Sequence, residues 1–290
     1  MSVIFNFNFK RPVQIRKNID RGLFLKGIND SAIILAHGMT GSPQEMKFFA
    51  EYLNRMGYSV LCPRLANHGQ PIEVLKKTKW QEFYQSIRSA FQEASRGHKF
   101  IFAAGLSLGA LLVLLLADEF GDKISAVSCL SPTLFYDGWN TPWTKYLLPF
   151  AFATPLKNVF YFKEERPYGI KNKKIQDLMY RYYSKAGLDD IEHVDRFGYP
   201  YFPVTLFYQL NLCVKHLSKR LSYIHNPLQL IQARNDDITG VKNSQFIYDR
   251  IKSDIKELVL LDNSYHVITA DQEREKVAQC TADFFNKFTA

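Results

Sequence analysis

The sequence predicts an α/β protein with a mostly parallel, doubly wound sheet and a mainly helical segment inserted after its fourth long strand. Three observations carry this reading. Short continuous apolar runs recur along the chain, as expected of strands buried on both faces. They alternate with stretches of helical periodicity that end in glycine. The rhythm stops near residue 134 and resumes near 225. Strands alternating with helices over this length form a sheet covered on both faces.

The elements follow in order. The N-terminus, MSVIFNFNFKRP, alternates apolar and polar residues and suits a strand. SAIILAHG (31–38) is the first long strand, and SPQEMKFFAEYLNRMG (42–57) is a helix opened by Ser-Pro and closed by glycine. YSVLCPRL (58–65) is a strand, and WQEFYQSIRSAFQEASRG (80–97) a helix with apolar residues at helical spacing. KFIFAAG (99–105), then the apolar helix LGALLVLLLADEFG, then KISAVSCLSPT (123–133) complete the first half of the sheet. PLQLIQAR (227–234) and KELVLLDNS (256–264) resume it, and DQEREKVAQCTADFFNKF closes the chain as an amphipathic helix. The expected division is a core of residues 1–133 and 225–290, with 134–224 as an inserted cap.

That middle segment holds 21 of the 42 aromatic residues, and 13 Lys and Arg against 8 Asp and Glu. The rings can form a small core of their own or line an apolar substrate tunnel. The whole chain carries a formal charge of +9, yet it has no dense Lys/Arg block and no nucleic-acid-binding motif. A basic surface leaves room for weak association with an anionic membrane, for which KNKKIQDLMYRYYSK (171–185) is the best stretch. A solvated helix with a core-facing aromatic stripe accounts for the same residues and is the preferred reading. No run reaches the roughly 20 apolar residues of a membrane span, and no signal peptide is recognisable, so a cytoplasmic location is expected. Cys62, Cys129, Cys213 and Cys280 are scattered without metal-binding spacing and read as reduced thiols.

Gly105-Leu106-Ser107-Leu108-Gly109 matches G-x-S-x-G between a strand and a helix, the context in which the motif projects a nucleophilic serine from a sharp turn. A serine hydroxyl needs a base to take its proton and an acid to orient that base. His266, in the loop after the last strand, has the chain order and strand-end position of the base. His37, His68, His98, His193, His216 and His225 lack that combination. For the acid, the loop after 227–234 offers Asp236 directly at the turn, with Asp237 as its competitor. Asp137 is a weaker substitute, and Asp262 lies too close to His266 in sequence. The negative charge of an acyl-transfer intermediate needs two backbone N–H donors. Leu108 supplies one, and Met39, in the loop His37-Gly38-Met39-Thr40-Gly41-Ser42, the other. His37 is read as structural support for that loop.

With these motifs in place, HGMTGSP (37–43), PRLANHG (63–69), GLSLGA (105–110), ARNDDI (233–238) and SYHVITADQE (264–273) together resemble bacterial carboxylesterases and monoacylglycerol-lipase-like members of the α/β-hydrolase superfamily. The likeness covers residues 30–132 and 225–290. It implies the α/β-hydrolase fold, a triad of Ser107, Asp236 and His266, oxyanion donors at Met39 and Leu108, and no metal or cofactor. The 134–224 cap lies outside that likeness. The expectation is a serine esterase acting on a small ester with an apolar acyl chain, such as a monoacylglycerol or lysophospholipid. A thioesterase or amidase would use the same triad, and a non-catalytic binding protein or scaffold on the same fold is the reading from another class. Haloalkane and epoxide chemistry would need an aspartate where Ser107 stands.

Overall fold

The computed structural model describes residues 2–5, 22–187 and 194–289. Seven strands form the main sheet: β2 (Gly22–Leu25), β3 (Ser31–Ala36), β4 (Ser59–Pro63), β5 (Phe100–Leu106), β6 (Ala126–Leu130), β9 (Leu228–Ala233) and β10 (Lys256–Leu261). Their spatial order is β10-β9-β6-β5-β3-β4-β2, and every pairing is parallel except that of β2 with β4. Strands β3, β4 and β6 are buried along their whole length, which is why they read as unbroken apolar runs rather than alternating ones.

The helices divide between the two faces. On one side lie α3 (Trp80–Ala94), α4 (Leu108–Phe120) and α8 (Val204–Ser218); on the other lie α1 (Lys47–Arg55) and α10 (Arg274–Asn286). Helix α4 buries Leu108 through Ala117 without a break, as a helix that is apolar all round must. On the opposite face, Phe102 of β5 stacks on Phe285 of α10 with ring centroids 4.6 Å apart. Short helices α2 (Ile72–Leu75) and α9 (Lys242–Arg250) complete the layers.

The 134–224 segment carries α5 (Leu148–Ala153), α6 (Lys173–Tyr183) and α7 (Val194–Phe197), and it is not purely helical. Its strands β7 (Phe160–Lys163) and β8 (Tyr201–Pro203) form a separate antiparallel sheet with β1 (Ser2–Phe5). The N-terminal strand therefore pairs with the middle of the chain and not with the main sheet. Helix α8 packs on α3 and α4 as well as on β7 and β8 of its own segment. It buries Val204, Leu206, Phe207, Leu210, Cys213 and Leu217, and Trp80 N–H donates to Gln209 Oε1 at 3.2 Å.

Register brings the carboxyl ends of the strands to one edge. Ala36 of β3 lies opposite Gly105 of β5, Gly105 opposite Cys129 of β6, Cys129 opposite Leu230 of β9, and Ala233 opposite Leu261 of β10. The loops that begin at His37, Ser107, Ser131, Arg234 and Asp262 consequently emerge side by side, where ligand sites of such sheets form.

Candidate active site

Ser107 is the residue between β5 and α4, with φ 58° and ψ −116°. A non-glycine residue at positive φ carries strain of order 1–3 kcal/mol, sustained only where the surroundings fix it. Here they do. Ser107 N–H donates to Leu130 O of β6 at 2.9 Å, and Ala110 N–H to Ser107 O at 3.1 Å. A Cβ at Gly105 would collide with the Gly109 carbonyl, and one at Gly109 with the Ala36 carbonyl, so the tight turn needs both glycines. The Ser107 hydroxyl is hydrogen-bonded to Thr133 Oγ1 at 2.9 Å.

His266 is buried in the loop between β10 and α10, and its Nδ1 lies 2.9 Å from Asp236 Oδ2 and 3.2 Å from Oδ1. Asp236, whose side chain is fully enclosed, also accepts from the N–H groups of Ile238 and Thr239, both at 2.8 Å, and from Gln232 Nε2 at 2.8 Å. Thr239 Oγ1 adds a fourth donor at 3.2 Å. Burial opposes a charge on His266, but the Asp236 carboxylate outweighs it by charge and hydrogen bond, and the imidazole is raised above its ordinary value. A bond to Asp236 at Nδ1 places the proton there and leaves Nε2 as the acceptor.

Asp237 turns the other way. Its carboxylate accepts from Gly169 N–H at 3.2 Å and His266 N–H at 3.4 Å, tying the 134–224 segment to the histidine loop. Asp137 accepts from Gly240 N–H and Asn243 Nδ2, and Asp262 pairs with Arg234 at the surface. None of these three meets the His266 ring.

Met39 lies in the arc between His37 and Ser42, and Leu108 heads α4 beside Ser107. Two buried histidines hold the arc from behind. His37 donates from Nδ1 to Gly38 O at 2.9 Å and accepts from Leu65 N–H at Nε2, while His68 Nε2 contacts Met39 O at 2.8 Å. Burial lowers both rings, His68 to about 4, so they serve as neutral struts.

Ser107, Leu108, Met39 and His266 all line one cavity of about 230 Å³ between the sheet edge and the 134–224 segment. Its far wall is apolar and aromatic, with Tyr136, Ile175, Met179, Tyr183, Phe197 and Phe202. On α6, Ile175, Met179 and Tyr183 face this cavity while Tyr180 is exposed, so of the aromatic stripe expected for 171–185 only Tyr183 reaches it. Two carboxyls that sequence reasoning did not single out also line it. Burial pushes Glu45 up to about 7, and burial followed by the Asp237 charge pushes Glu164 up to about 8. Thr133 was likewise missed, although its place just beyond the end of β6 was a signal. No local pattern marks Glu45 or Glu164.

Such an arrangement places a hydroxyl on a strained turn, a raised imidazole with a buried acid behind it, and the backbone of Met39 and Leu108 along one largely apolar cavity. It is suited to acyl transfer. Residues 27–273 match the family model described as Serine aminopeptidase, S33. The chain belongs to that family. It is 26% identical over 264 residues to a carboxylesterase of Bacillus subtilis (strain 168), covering 89% of this chain and 93% of that one. A thermostable monoacylglycerol lipase of Bacillus sp. (strain H-257) is 26% identical over 257 residues, covering 88% and 90%. Among solved structures, a chain described with the metagenome-derived lipolytic enzymes LipS and LipT gives a TM-score of 0.75 at 26% identity, covering 91% of this chain and 96% of that one. The fold is the α/β-hydrolase fold, and the chain stands among its serine esterases and lipases.

Proposed function

We propose that the protein hydrolyses acyl esters through an acyl-enzyme on Ser107, beneath a cap formed by residues 134–224. Ser107 Oγ attacks the ester carbonyl while His266 Nε2 takes its proton, and Asp236 stabilises the imidazolium. The N–H groups of Met39 and Leu108 receive the oxyanion. His266 then gives the proton to the leaving alcohol, and water drawn onto the same base releases the acid. The single observation that carries the reading is the opening of Ser107 and the Asp236-bound His266 into one apolar cavity. The expected substrate is a monoacylglycerol or lysophospholipid, in keeping with the aromatic wall and with the monoacylglycerol lipase relative. Hydrolysis of p-nitrophenyl esters from acetate to palmitate tests it, run beside Ser107→Ala. Turnover should rise toward medium or long chains and fall by several orders of magnitude in the variant. Activity confined to acetate would remove the lipid substrate, and no ester turnover would move the assignment to thioesters or amides.

A lipid substrate also gives meaning to the surface of the cap. Phe135, Trp139, Trp143, Tyr146, Leu147 and Phe150 are 41% to 75% exposed. From Gly138 to Lys163 the chain has three lysines and no acidic residue. Lys145 and Lys157 direct their ammoniums to backbone carbonyls and not to carboxylates. Exposed Trp, Tyr and Phe beside unneutralised lysines match the chemistry of an anionic lipid surface. No helix among the described residues is long and apolar enough to cross a membrane, so the proposed contact is peripheral. Sedimentation with vesicles of phosphatidylglycerol and phosphatidylcholine should weaken with added salt and with Trp143→Ala/Tyr146→Ala/Phe150→Ala. Binding that survives the triple variant, and is lost instead on charge reversal of Lys171, Lys173 and Lys174, would move the contact to 171–185.

A further inference from the structure

The arc from Gly38 to Gly41 presents the Met39 N–H, which meets no protein acceptor among the described residues. A loop of two glycines, a methionine and a threonine has no stiffness of its own, so something must fix the direction of that N–H. The carbonyls of the arc are held from outside. His37 and His68 take those of Gly38 and Met39, and Tyr199 N–H of the 134–224 segment donates to Thr40 O at 2.8 Å.

The carboxyl of Glu45 lines the cavity beside the arc. The Gly38 N–H donates to Glu45 Oε1, and the same carboxyl lies flat against Gly41, where a Cβ would collide with it. One carboxyl thus touches both ends of the arc. Its own backbone is fixed by the 3-10 turn Pro43–Met46, which Ser42 caps by accepting from Gln44 N–H at Oγ and from Glu45 N–H at its carbonyl. It also lines the same cavity as the nucleophile, with Gly38 between them. A Cβ built on Gly38 would lie 3.1 Å from Glu45 Oε1 and 3.7 Å from Ser107 Cβ. Without this acceptor the Gly38 N–H would join that of Met39 in having no protein partner, and the arc would lose its tie to the Pro43–Met46 turn.

We propose that Glu45 is a positioning residue that spans the Gly38–Gly41 arc and so aims the Met39 N–H at the reacting carbonyl. The inference rests on the esterase reading above for the identity of the reaction. An acceptor at this point is what matters, so Glu45→Gln should substitute for the native residue where Glu45→Ala does not.

The test compares native protein, Glu45→Gln and Glu45→Ala by three readouts: the rate of Ser107 labelling by a fluorophosphonate, kcat and KM on p-nitrophenyl butyrate per labelled site, and amide hydrogen exchange of the 37–46 peptide. Losing an oxyanion donor outright slows acyl transfer by about 10²–10³-fold, so misaiming one should slow it by about 10–100-fold. Glu45→Ala is therefore expected to lose that much in kcat and in labelling rate, with KM within about threefold, and to exchange faster in the arc. Glu45→Gln should recover to within about fivefold of native. Should Glu45→Ala fail to fold, Glu45→Met, which keeps bulk without an acceptor, gives the same comparison. The proposal is overturned if Glu45→Ala stays within threefold of native, or if Glu45→Gln is as impaired as Glu45→Ala. A native protein that labels but hydrolyses no ester would defeat the esterase reading alone, because labelling rate and exchange still decide the role of Glu45.

Discussion

Replacing Glu164 with glutamine should stabilise the protein in alkaline solution and change little in acid. Glu164 follows β7, reaches the cavity wall, and faces the buried Asp237 and His266. Burial, then the Asp237 charge, raise its carboxyl from 4.5 to about 8. The folded state therefore holds a proton that the unfolded chain gives up. For an acid raised on folding, native stability is complete below the unfolded value and declines as pH climbs through the window from 4.5 to about 8. At about 1.4 kcal/mol per pH unit, reduced because the carboxyl borders a cavity that water can enter, the native chain loses about 2–4 kcal/mol across that window. Glutamine keeps the shape and cannot ionise, so Glu164→Gln escapes the loss. Thermal unfolding at pH 9 should show a Tm about 4–8 °C above native, and at pH 5 a difference of about 1 °C or less. An equal shift at both pH values, or a variant less stable than native at pH 9, would refute the reasoning.

Other outcomes follow from the same geometry. Asp236→Asn presents an amide to donors that require an acceptor and removes the acid behind His266; kcat/KM on p-nitrophenyl butyrate should fall by about 10³–10⁴-fold. Asp237→Asn, which leaves the ring contact intact, should stay within about tenfold in the same assay. Because His266 must be neutral to accept the Ser107 proton and is raised above its ordinary value, kcat/KM should rise with pH through a midpoint above 6.5. A pH–rate profile with that midpoint below 6 would contradict the assignment of His266 as base.

Much of the architecture was legible because the decisive signals are local. The strands of the main sheet from β3 onward are mostly apolar, and helices such as α1 and α3 carry an apolar stripe while α4 is apolar from Leu108 to Ala117. Strand β2 escaped notice because Gly22–Leu25 is only four residues long and partly exposed at the sheet edge. Helix α9 reads KNSQFIYDR, too polar to declare a stripe. Strands β7 and β8 are short aromatic pieces, FYFK and YFP; β8 pairs with β7, and the pairing of β7 with Ser2–Phe5 depends on residues more than 150 positions away. Helix α8 packs both on α3 and α4 and, through Phe207, on Tyr136, Phe162 and Phe202 of the inserted segment, a double contact that only the fold reveals.

At the site, chain order led to Ser107 and His266, but no spacing rule could separate Asp236 from Asp237. What separates them in space is a turn. The amides of Ile238 and Thr239 cap Asp236 and aim it at the histidine, while Asp237 reaches across to Gly169. Glu45 and Glu164 were invisible for a related reason, since each matters through groups brought near it only by folding.

The most direct test of the account is the site and stoichiometry of covalent labelling by a fluorophosphonate, read by intact-mass and peptide mass spectrometry. The account predicts one adduct per chain, carried by the peptide containing Ser107 and absent from Ser107→Ala. An unlabelled native protein, or an adduct that persists in Ser107→Ala, would contradict it.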